Sequence, residues 1–255
     1  MFRFSSLFAG LMVIASSASA QSAAAQADTV VVMSYNIRAG VGMDDVRDFR
    51  RQADVIDARK ADVVLLQEVD SLTRRSGHVN MPDTLASLTG LNPYFSKSID
   101  FEGGAYGIAM LLKNKPVAVT RYPLPGSEEG RSLIVAEMPD YVVACTHLSL
   151  TPADQITSTD IIAILADTYN KPFILGGDLN ATPGSKTIRR LEDAGFRIVS
   201  ADSPTYPASV PAERIDYIMV HDPSGKVKAL DAAVIDAPEA SDHRPIYVTL
   251  IIPEN

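Results

Sequence analysis

Short apolar runs recur along this chain, and segments with helical spacing of apolar residues separate several of them. The runs are rich in β-branched and aliphatic residues, which is typical of buried strands. This pattern predicts strands over residues 29–37, 62–69, 106–113, 116–122, 131–138, 141–147, 172–175, 214–220, 226–235 and 245–252. The helical spacing predicts helices over residues 46–60, 83–88, 152–169 and 186–194. The rest of residues 71–105 is less regular and predicts loops.

The order of the predicted elements mixes strand–helix–strand units with runs of consecutive strands. A doubly wound parallel sheet requires a more regular alternation of strands and helices. The order instead suits two mixed β-sheets that pack face to face, with helices on the outside. No repeat or linker interrupts residues 28–255, so we expect a single α/β (α+β) domain there.

One stretch, from Pro172 to Ser185, combines a buried strand with side chains that would be costly to bury unpaired. A short apolar run leads to two glycines, after which Asp178 and Asn180 follow two residues apart. That spacing places both polar side chains on the same side of an extended chain. Asp, Asn, Pro and Gly all favour turns, so the stretch taken alone is satisfied by a simple turn.

Polar side chains repeat this layout at or near the carboxyl ends of other apolar strands, or in the turns that follow them. Core packing does not explain the recurrence, and acids gathered at one rim repel one another unless a cation lies among them. Oxygen and amide ligands without a cysteine cluster favour Mg²⁺, Mn²⁺ or Ca²⁺ over structural zinc. The residues with this layout are Asn36, Glu68, His147, Asp178, Asn180, Asp216, Asp242 and His243.

Each of these positions also has an ordinary structural explanation. A lone histidine such as His147 is most often structural, and Asp216 fits a surface salt bridge. Glu68 fits a helix cap, and the pair Asp242 and His243 fits a turn before a proline. These explanations account for the residues singly, but they do not explain why the same layout recurs at so many strand ends.

Six short motifs occur in a fixed order along the chain. They are Ser34-Tyr35-Asn36-Ile37, Gln67-Glu68-Val69-Asp70, Thr146-His147-Leu148, Gly177-Asp178-Leu179-Asn180, Arg214-Ile215-Asp216-Tyr217 and Ser241-Asp242-His243-Arg244-Pro245. Each motif alone is a weak signal, but six in order at the ends of predicted strands make a specific match. With them the chain resembles the endonuclease/exonuclease/phosphatase superfamily. The resemblance implies a DNase I-like fold, a four-layer sandwich of two mixed sheets flanked by helices, and hydrolysis of phosphoesters.

The resemblance implies a divalent metal ion held mainly by Glu68. Asn36 would assist in holding it, and Asp242 matches a carboxylate that often supports the metal or its water shell. The ion would be Mg²⁺ or Mn²⁺, with Ca²⁺ also compatible. It would neutralise the phosphate and the developing charge on the leaving oxygen.

The resemblance also implies roles for five residues around the phosphate and the attacking water. Asp178 would align or deprotonate the water, and Asn180 would hold the water or a phosphoryl oxygen. His147 and His243 would be the two imidazoles on the phosphate, with His243 oriented by Asp216. An associative displacement at phosphorus needs these parts together with the cation.

The chain departs from the family pattern at one place. DNase I-like nucleases carry an extra acid two strands before the first histidine, and this acid buttresses that histidine. The corresponding region here is Gly104–Ile108, with only Glu102 nearby. Arg74, Arg75 and Tyr106 are candidates for contacting the substrate, and the two arginines would suit a second anionic group. A solvated polar loop also explains the arginines.

The amino-terminal sequence predicts export. A short basic start precedes an apolar run from Leu7 to Ala15 and two small-residue cleavage patterns that end at Ala20 and Ala27. The run is too short for a transmembrane helix, and no later run is long enough either. We therefore expect a signal peptide over residues 1–27, cleaved after residue 20 or 27, and a periplasmic or extracellular protein.

The charge balance of the chain bears on its substrate. The 255 residues carry a formal net charge of −8, and loss of Arg3 with the leader makes the mature chain one unit more negative. This acidity argues against a protein that coats nucleic acid. We expect a monomeric enzyme that acts on a small or lipid-linked phosphoester. The nearest alternative is an extracellular nuclease, and the alternative from another class is a non-catalytic binding module of the same fold.

Overall fold

The computed structural model describes residues 29–253, so the predicted signal peptide, residues 1–27, lies outside the described part of the chain. The strands are β1 Thr29–Asn36, β2 Val63–Ser71, β3 Asn92–Phe101, β4 Gly104–Leu112, β5 Ala118–Leu124, β6 Arg131–Glu137, β7 Val142–His147, β8 Phe173–Asp178, β9 Phe196–Ile198, β10 Asp216–His221, β11 Lys228–Val234 and β12 Ile246–Ile251. The α-helices are α1 Phe49–Asp57, α2 Met81–Thr89, α3 Pro152–Ala166 and α4 Lys186–Asp193.

The strands form two six-stranded mixed sheets. The first sheet has the order β11-β12-β1-β2-β4-β3, and the second has the order β5-β6-β7-β8-β10-β9. Each sheet contains one parallel pair at its centre, β1 with β2 and β7 with β8, and the other neighbours are antiparallel. The two mixed sheets predicted from the sequence are therefore confirmed.

Three apolar clusters hold the layers together. The first lies between the sheets and includes Leu65 and Ile174. Both residues belong to continuous apolar runs, which are typical of strands that are covered on both faces of the sheet. The second includes Ile56 of α1 beneath the first sheet, and the third includes Ile162 of α3 and Leu191 of α4 beneath the second sheet. Because each fully buried aliphatic side chain contributes about 1.5–3 kcal/mol, these clusters dominate the stability of the sandwich.

The strand pairing brings the predicted polar residues to one edge of the sandwich. Asn36 at the end of β1 is paired with Gln67 of β2 in the first sheet. In the second sheet, Asp178 at the end of β8 is flanked by His147 of β7 and by Asp216 of β10. The parallel strands β7 and β8 end on the same side of the sheet. The predicted carboxyl-end position is wrong for Asp216, which begins β10 and reaches the same edge because β10 is antiparallel to β8.

Two local predictions were wrong. The region predicted as irregular contains β3, an edge strand whose half-exposed residues break the apolar alternation. The first helix begins at Phe49 rather than at residue 46, because a bridge between Val41 and Arg47 closes the preceding loop and Asp48 caps the helix. The Asp48 carboxylate accepts from the amides of the first helical turn, which is the usual role of an N-cap.

Candidate active site

A cleft of about 830 Å³ opens where the two parallel strand pairs end. Of the eight polar residues predicted at strand ends, those that line it are Glu68, His147, Asp178, Asn180, Asp242 and His243. The other two predicted residues of the layout, Asn36 and Asp216, lie behind this lining and are hydrogen bonded to it. The structure therefore brings all eight residues together.

Glu68 enters the cleft because the first sheet is irregular at its position. The register between β2 and β4 shifts between Leu66 and Val69, and Glu68 has a φ of 57°. A left-handed conformation at a residue other than glycine costs of order 1–3 kcal/mol and is typical of functional sites. Burial raises the pKa of Glu68, the hydrogen bond from Asn36 opposes this shift, and the Asp242 charge adds to it.

Asn36 bridges the two sheets. Its side-chain nitrogen donates to Glu68 Oε1 at 3.0 Å and to Asp178 Oδ2 at 3.2 Å, and its side-chain oxygen accepts from the Arg38 amide at 3.2 Å. The Ser241 hydroxyl donates to the backbone oxygen of Asn36 at 2.8 Å. In this arrangement the amide nitrogen of Asn36, and not its oxygen, faces the carboxylates and holds them at a fixed separation.

Asp178 occupies the centre of the cleft. Its Oδ2 lies 3.5 Å from His147 Nε2 and 3.7 Å from His243 Nε2. Its Oδ1 accepts from the amide of Asn180 at 2.9 Å, and the Asn180 side chain donates to the Leu148 carbonyl at 2.9 Å. Burial and then the Asp216 charge raise the pKa of Asp178, so this carboxylate is suited to take up a proton.

His243 is held from behind by a second carboxylate. Its Nδ1 lies 2.9 Å from Asp216 Oδ2, which also accepts from the Thr205 hydroxyl at 2.5 Å. Burial alone would lower the pKa of His243, but the charge and hydrogen bond of Asp216, with Asp178, raise it to about 10. The ring of Tyr206 lies 4.8 Å from the imidazole. His243 is therefore a protonated donor at neutral pH.

His147, in contrast to His243, is uncharged at neutral pH. Burial lowers the pKa of His147 to about 4, and the attraction of Asp178 only partly opposes this shift. The segment that follows this histidine is fixed by Glu128, whose carboxylate accepts from the Ser149 hydroxyl at 2.7 Å and the Leu150 amide at 2.8 Å. Glu128 is in turn bound by the buried Arg131 at 2.9 Å. At neutral pH His147 is a neutral hydrogen-bonding group.

Sequence reasoning missed several of these supporting residues. Arg131 lines the cleft and bonds Glu128 and Glu129, while Thr205 and Tyr206 support His243. The sequence Glu128-Glu129-Gly130-Arg131 carries one usable signal, since a charged residue that opens an apolar strand is costly to bury without a partner. The loop that contains Thr205 carries no comparable signal.

The predicted substrate-contacting residues divide into two groups. Tyr106 lines the cleft, but neither Arg74 nor Arg75 does. Arg75 is bonded to the buried Asp70, and the largely exposed Arg74 lies 4.0 Å from Glu102. These contacts favour the polar-loop explanation of the two arginines over their candidate role in binding a second anionic group of the substrate. The Glu102 carboxylate accepts from the Arg75 amide and so stabilises the loop that contains the two arginines.

The lining residues fit a hard divalent cation at the Glu68 side of the cleft. Glu68 and Asp242 offer only oxygen, and a cation would offset both the burial of Glu68 and the charge of Asp242, which raise the pKa of Glu68 in that order. A second group, Asp178, Asp216 and His243, also places its ligand atoms within 4.8 Å of one another. The protonated imidazole of His243 already offsets one of the two carboxylate charges in that group, and a protonated ring has no free nitrogen lone pair for a metal, so the oxygen-only side is the better fit for Mg²⁺.

Comparisons with known proteins agree with this architecture. The model of the endonuclease/exonuclease/phosphatase family matches residues 33–243. Among curated protein sequences, none matches the chain. An endonuclease/exonuclease/phosphatase from Beutenbergia cavernae is 25% identical with a TM-score of 0.73, and the match covers 88% of this chain and 72% of that one.

Two further solved structures share the fold at lower identity. A family protein from Bacteroides vulgatus is 16% identical with a TM-score of 0.72, covering 89% of this chain and 100% of its own. A mannosyl-6-phosphatase from Bacteroides thetaiotaomicron is also 16% identical, with a TM-score of 0.69, covering 88% and 100% of the two chains. Together with the match over residues 33–243, these findings show that the chain belongs to the endonuclease/exonuclease/phosphatase family.

Proposed function

We propose that this protein is an exported, divalent-metal-dependent hydrolase of a small or lipid-linked phosphoester. The observation that carries the proposal is the position of Asp178 Oδ2 between a neutral and a protonated imidazole, beside the oxygen-only side of the same cleft. A proton acceptor, a charged donor and a set of hard oxygen ligands are the parts that displacement at phosphorus requires.

The residues of the cleft divide the chemistry among them. Glu68 and Asp242 would hold Mg²⁺, which when bound would neutralise the phosphate and the leaving oxygen. Asp178 accepts a proton from the attacking water, whose oxygen bonds to phosphorus as the bond from phosphorus to the leaving oxygen breaks. His243 donates a charged hydrogen bond to a phosphoryl oxygen, and His147 supplies a neutral one.

The charge around the cleft favours a small or lipid-linked phosphoester over duplex DNA. The lining includes the acids Glu128, Glu129 and Glu213, and Arg131 is already paired with the first two. A protein that grips a duplex needs several free cations along the DNA backbone. Lys186 is the other Lys or Arg among the described lining residues.

Export is part of the proposal and rests on the sequence of residues 1–27. Within residues 29–253, no helix is long and apolar enough to cross a membrane. Expression of the full chain in a bacterial host, followed by amino-terminal sequencing of the mature protein, tests this part. We expect a start at Gln21 or Asp28, and an unprocessed protein retained in the cytoplasm would contradict export.

A substrate panel with and without Mg²⁺ or Mn²⁺ tests the reaction. The panel holds plasmid DNA, RNA, phospholipid vesicles, soluble inositol phosphates and simple phosphodiesters, assayed at low salt where nucleic acid binding is strongest. We expect metal-dependent turnover, with a higher kcat/KM for a small or lipid-linked phosphoester than for DNA. Faster turnover of DNA would replace this proposal with the nuclease, and no turnover of any member would support a non-catalytic binding module.

A further inference from the structure

Arg75 lies beside the cleft, and a buried carboxylate fixes its guanidinium. Nε and Nη2 each donate to Asp70 at 2.8 Å, one bond to each carboxylate oxygen. Asp70 is fully buried and also accepts from the Thr73 hydroxyl at 2.8 Å. An arginine held by both oxygens of one carboxylate is fixed in plane and in direction.

The backbone of Arg75 is fixed as well. Its amide donates to Glu102 Oε2 at 2.7 Å, and its carbonyl oxygen accepts from Arg47 Nη1. Arg47 belongs to the loop after β1, and Glu102 belongs to the turn between β3 and β4. Contacts from two other segments therefore hold this residue in place, in addition to the carboxylate of Asp70.

The fixed guanidinium lies against the ring of Tyr106. The Arg75 Cζ atom is 4.6 Å from the centre of the Phe101 ring and 5.3 Å from the centre of the Tyr106 ring. Tyr106 is also directly opposite Asp70 in the β2 and β4 pairing, and paired residues share a face of a sheet. A planar cation over an aromatic ring favours one orientation of that ring.

The ring of Tyr106 extends from the Arg75 guanidinium to the cleft. Its side chain lines the cleft together with Glu68, and it is 9% exposed. Burial and then the Glu68 charge raise the pKa of Tyr106, so the hydroxyl keeps its proton and is available as a donor. Arg75 in contrast is neutralised by Asp70, which makes it a poor site for a second anion.

We propose that Arg75 is a positioning residue that acts through Tyr106. Clamped by Asp70, it fixes the phenol ring so that the Tyr106 hydroxyl donates a hydrogen bond to an oxygen of the bound phosphoester. The donor role of Tyr106 rests on the proposed function of the cleft, whereas the fixing of the ring by Arg75 does not depend on substrate.

Fluorescence tests the fixing of the ring without any substrate. The chain contains no tryptophan, so Tyr106→Trp introduces a single indole at this position. We expect its steady-state anisotropy to fall when Arg75→Gln is added and to stay unchanged when the neighbouring Arg74→Gln is added as a matched control. Unchanged anisotropy with Arg75→Gln in the folded protein would overturn the proposal, whether or not the protein hydrolyses a phosphoester.

A double-mutant cycle in otherwise wild-type protein tests the path through the hydroxyl and avoids the indole. We expect Tyr106→Phe and Arg75→Gln each to lower kcat/KM by up to about tenfold, the cost of one hydrogen bond. Added to Tyr106→Phe, Arg75→Gln should cost less than about twofold, while its effect on the melting temperature stays the same. Arg75→Lys, which keeps the charge, should recover part of the loss.

Equal losses from Arg75→Gln with and without the Tyr106 hydroxyl would overturn the proposal and assign Arg75 a separate role. A rise in KM confined to substrates with a second anionic group would also overturn it, since Arg75 would then bind substrate directly. Absence of turnover by the wild-type enzyme on every substrate would refute the proposed function, and the anisotropy result would still decide whether Arg75 positions the ring.

Discussion

The two histidines of the cleft are both buried and face the same carboxylate oxygen, yet they differ in charge. His147 Nε2 is 3.5 Å and His243 Nε2 is 3.7 Å from Asp178 Oδ2. Burial lowers the pKa of His147 to about 4. Burial acts on His243 in the same direction, but Asp216 behind the ring outweighs it and raises the pKa of His243 to about 10. The charge of Asp216, and not that of the shared Asp178, therefore accounts for the difference in pKa between the two histidines.

This difference teaches that the two imidazoles are not interchangeable. A protonated imidazole donates a charged hydrogen bond, which is roughly twice as strong as a neutral one. His243 is therefore suited to the negative charge that grows on the phosphoryl oxygens, and His147 to a neutral contact that orients substrate or water. The predictions below test this division, from the largest expected effect to the smallest.

Removal of the charged imidazole should have the largest effect. We expect His243→Ala to lower kcat by about two or more orders of magnitude, and Asp178→Asn to do the same, because charge stabilisation and proton transfer are typically worth that much. His147→Ala should cost only about tenfold, the value of a neutral hydrogen bond. Circular dichroism and melting curves serve as controls for folding. Equal losses from the two histidine variants would break the comparison.

Asp216→Asn should make His243 behave more like His147. We expect kcat at pH 7 to fall by roughly tenfold, less than in His243→Ala, because the imidazole remains but its charge is no longer supported. Since activity requires the protonated ring, the alkaline limb of the pH profile should move to lower pH as the pKa of His243 falls. The measurement is kcat against pH for both proteins. An unchanged alkaline limb would show that Asp216 does not set the charge.

Much of the fold and of the site layout could be predicted because it is encoded locally. Apolar runs mark the strands, and Asn36, His147 and Asp178 each follow such a run in the sequence. The half-exposed edge strand β3 escaped this reasoning because its residues do not need to alternate. Three-residue β9 was too short to give a periodic signal.

The contacts that set the chemistry could not be predicted from the sequence because they join distant segments. Asn36 reaches Asp178 across the two sheets, and Thr205 reaches Asp216 from a loop. The spacing of Asp70 and Arg75 gives no sign that the acid is buried and that it forms an ion pair with the arginine. Pairing of this kind depends on which groups the packed layers exclude from water.

The smallest predicted effect is on the free energy of unfolding, whose dependence on pH should have opposite directions for the two histidines. As pH falls, His147 is protonated in the unfolded state near pH 6.5 but in the folded state only near pH 4. The folding stability that the neutral ring contributes should therefore be lost between these two pH values. The raised pKa of His243 gives a contribution that is full below about 6.5 and lost as pH rises through about 10.

Urea denaturation of three proteins measures these contributions. Compared with the wild type, His147→Gln should lose less stability between pH 6.5 and 4, and His243→Gln should lose less between pH 6.5 and 10. Changes in the same pH window for both variants would contradict the assigned charge states. Intact folding of each variant at pH 6.5 is the necessary control.

The most direct test of metal-dependent phosphoester hydrolysis in this cleft is kcat measured while Mg²⁺ is titrated into metal-free enzyme. The proteins compared are the wild type, Glu68→Gln, and Glu213→Gln as a control acid that also lines the cleft. We expect no turnover in EDTA, full recovery with Mg²⁺ for the wild type and Glu213→Gln, and a loss of roughly a hundredfold for Glu68→Gln. Full activity of the wild type in EDTA, or normal activity of Glu68→Gln, would contradict the account.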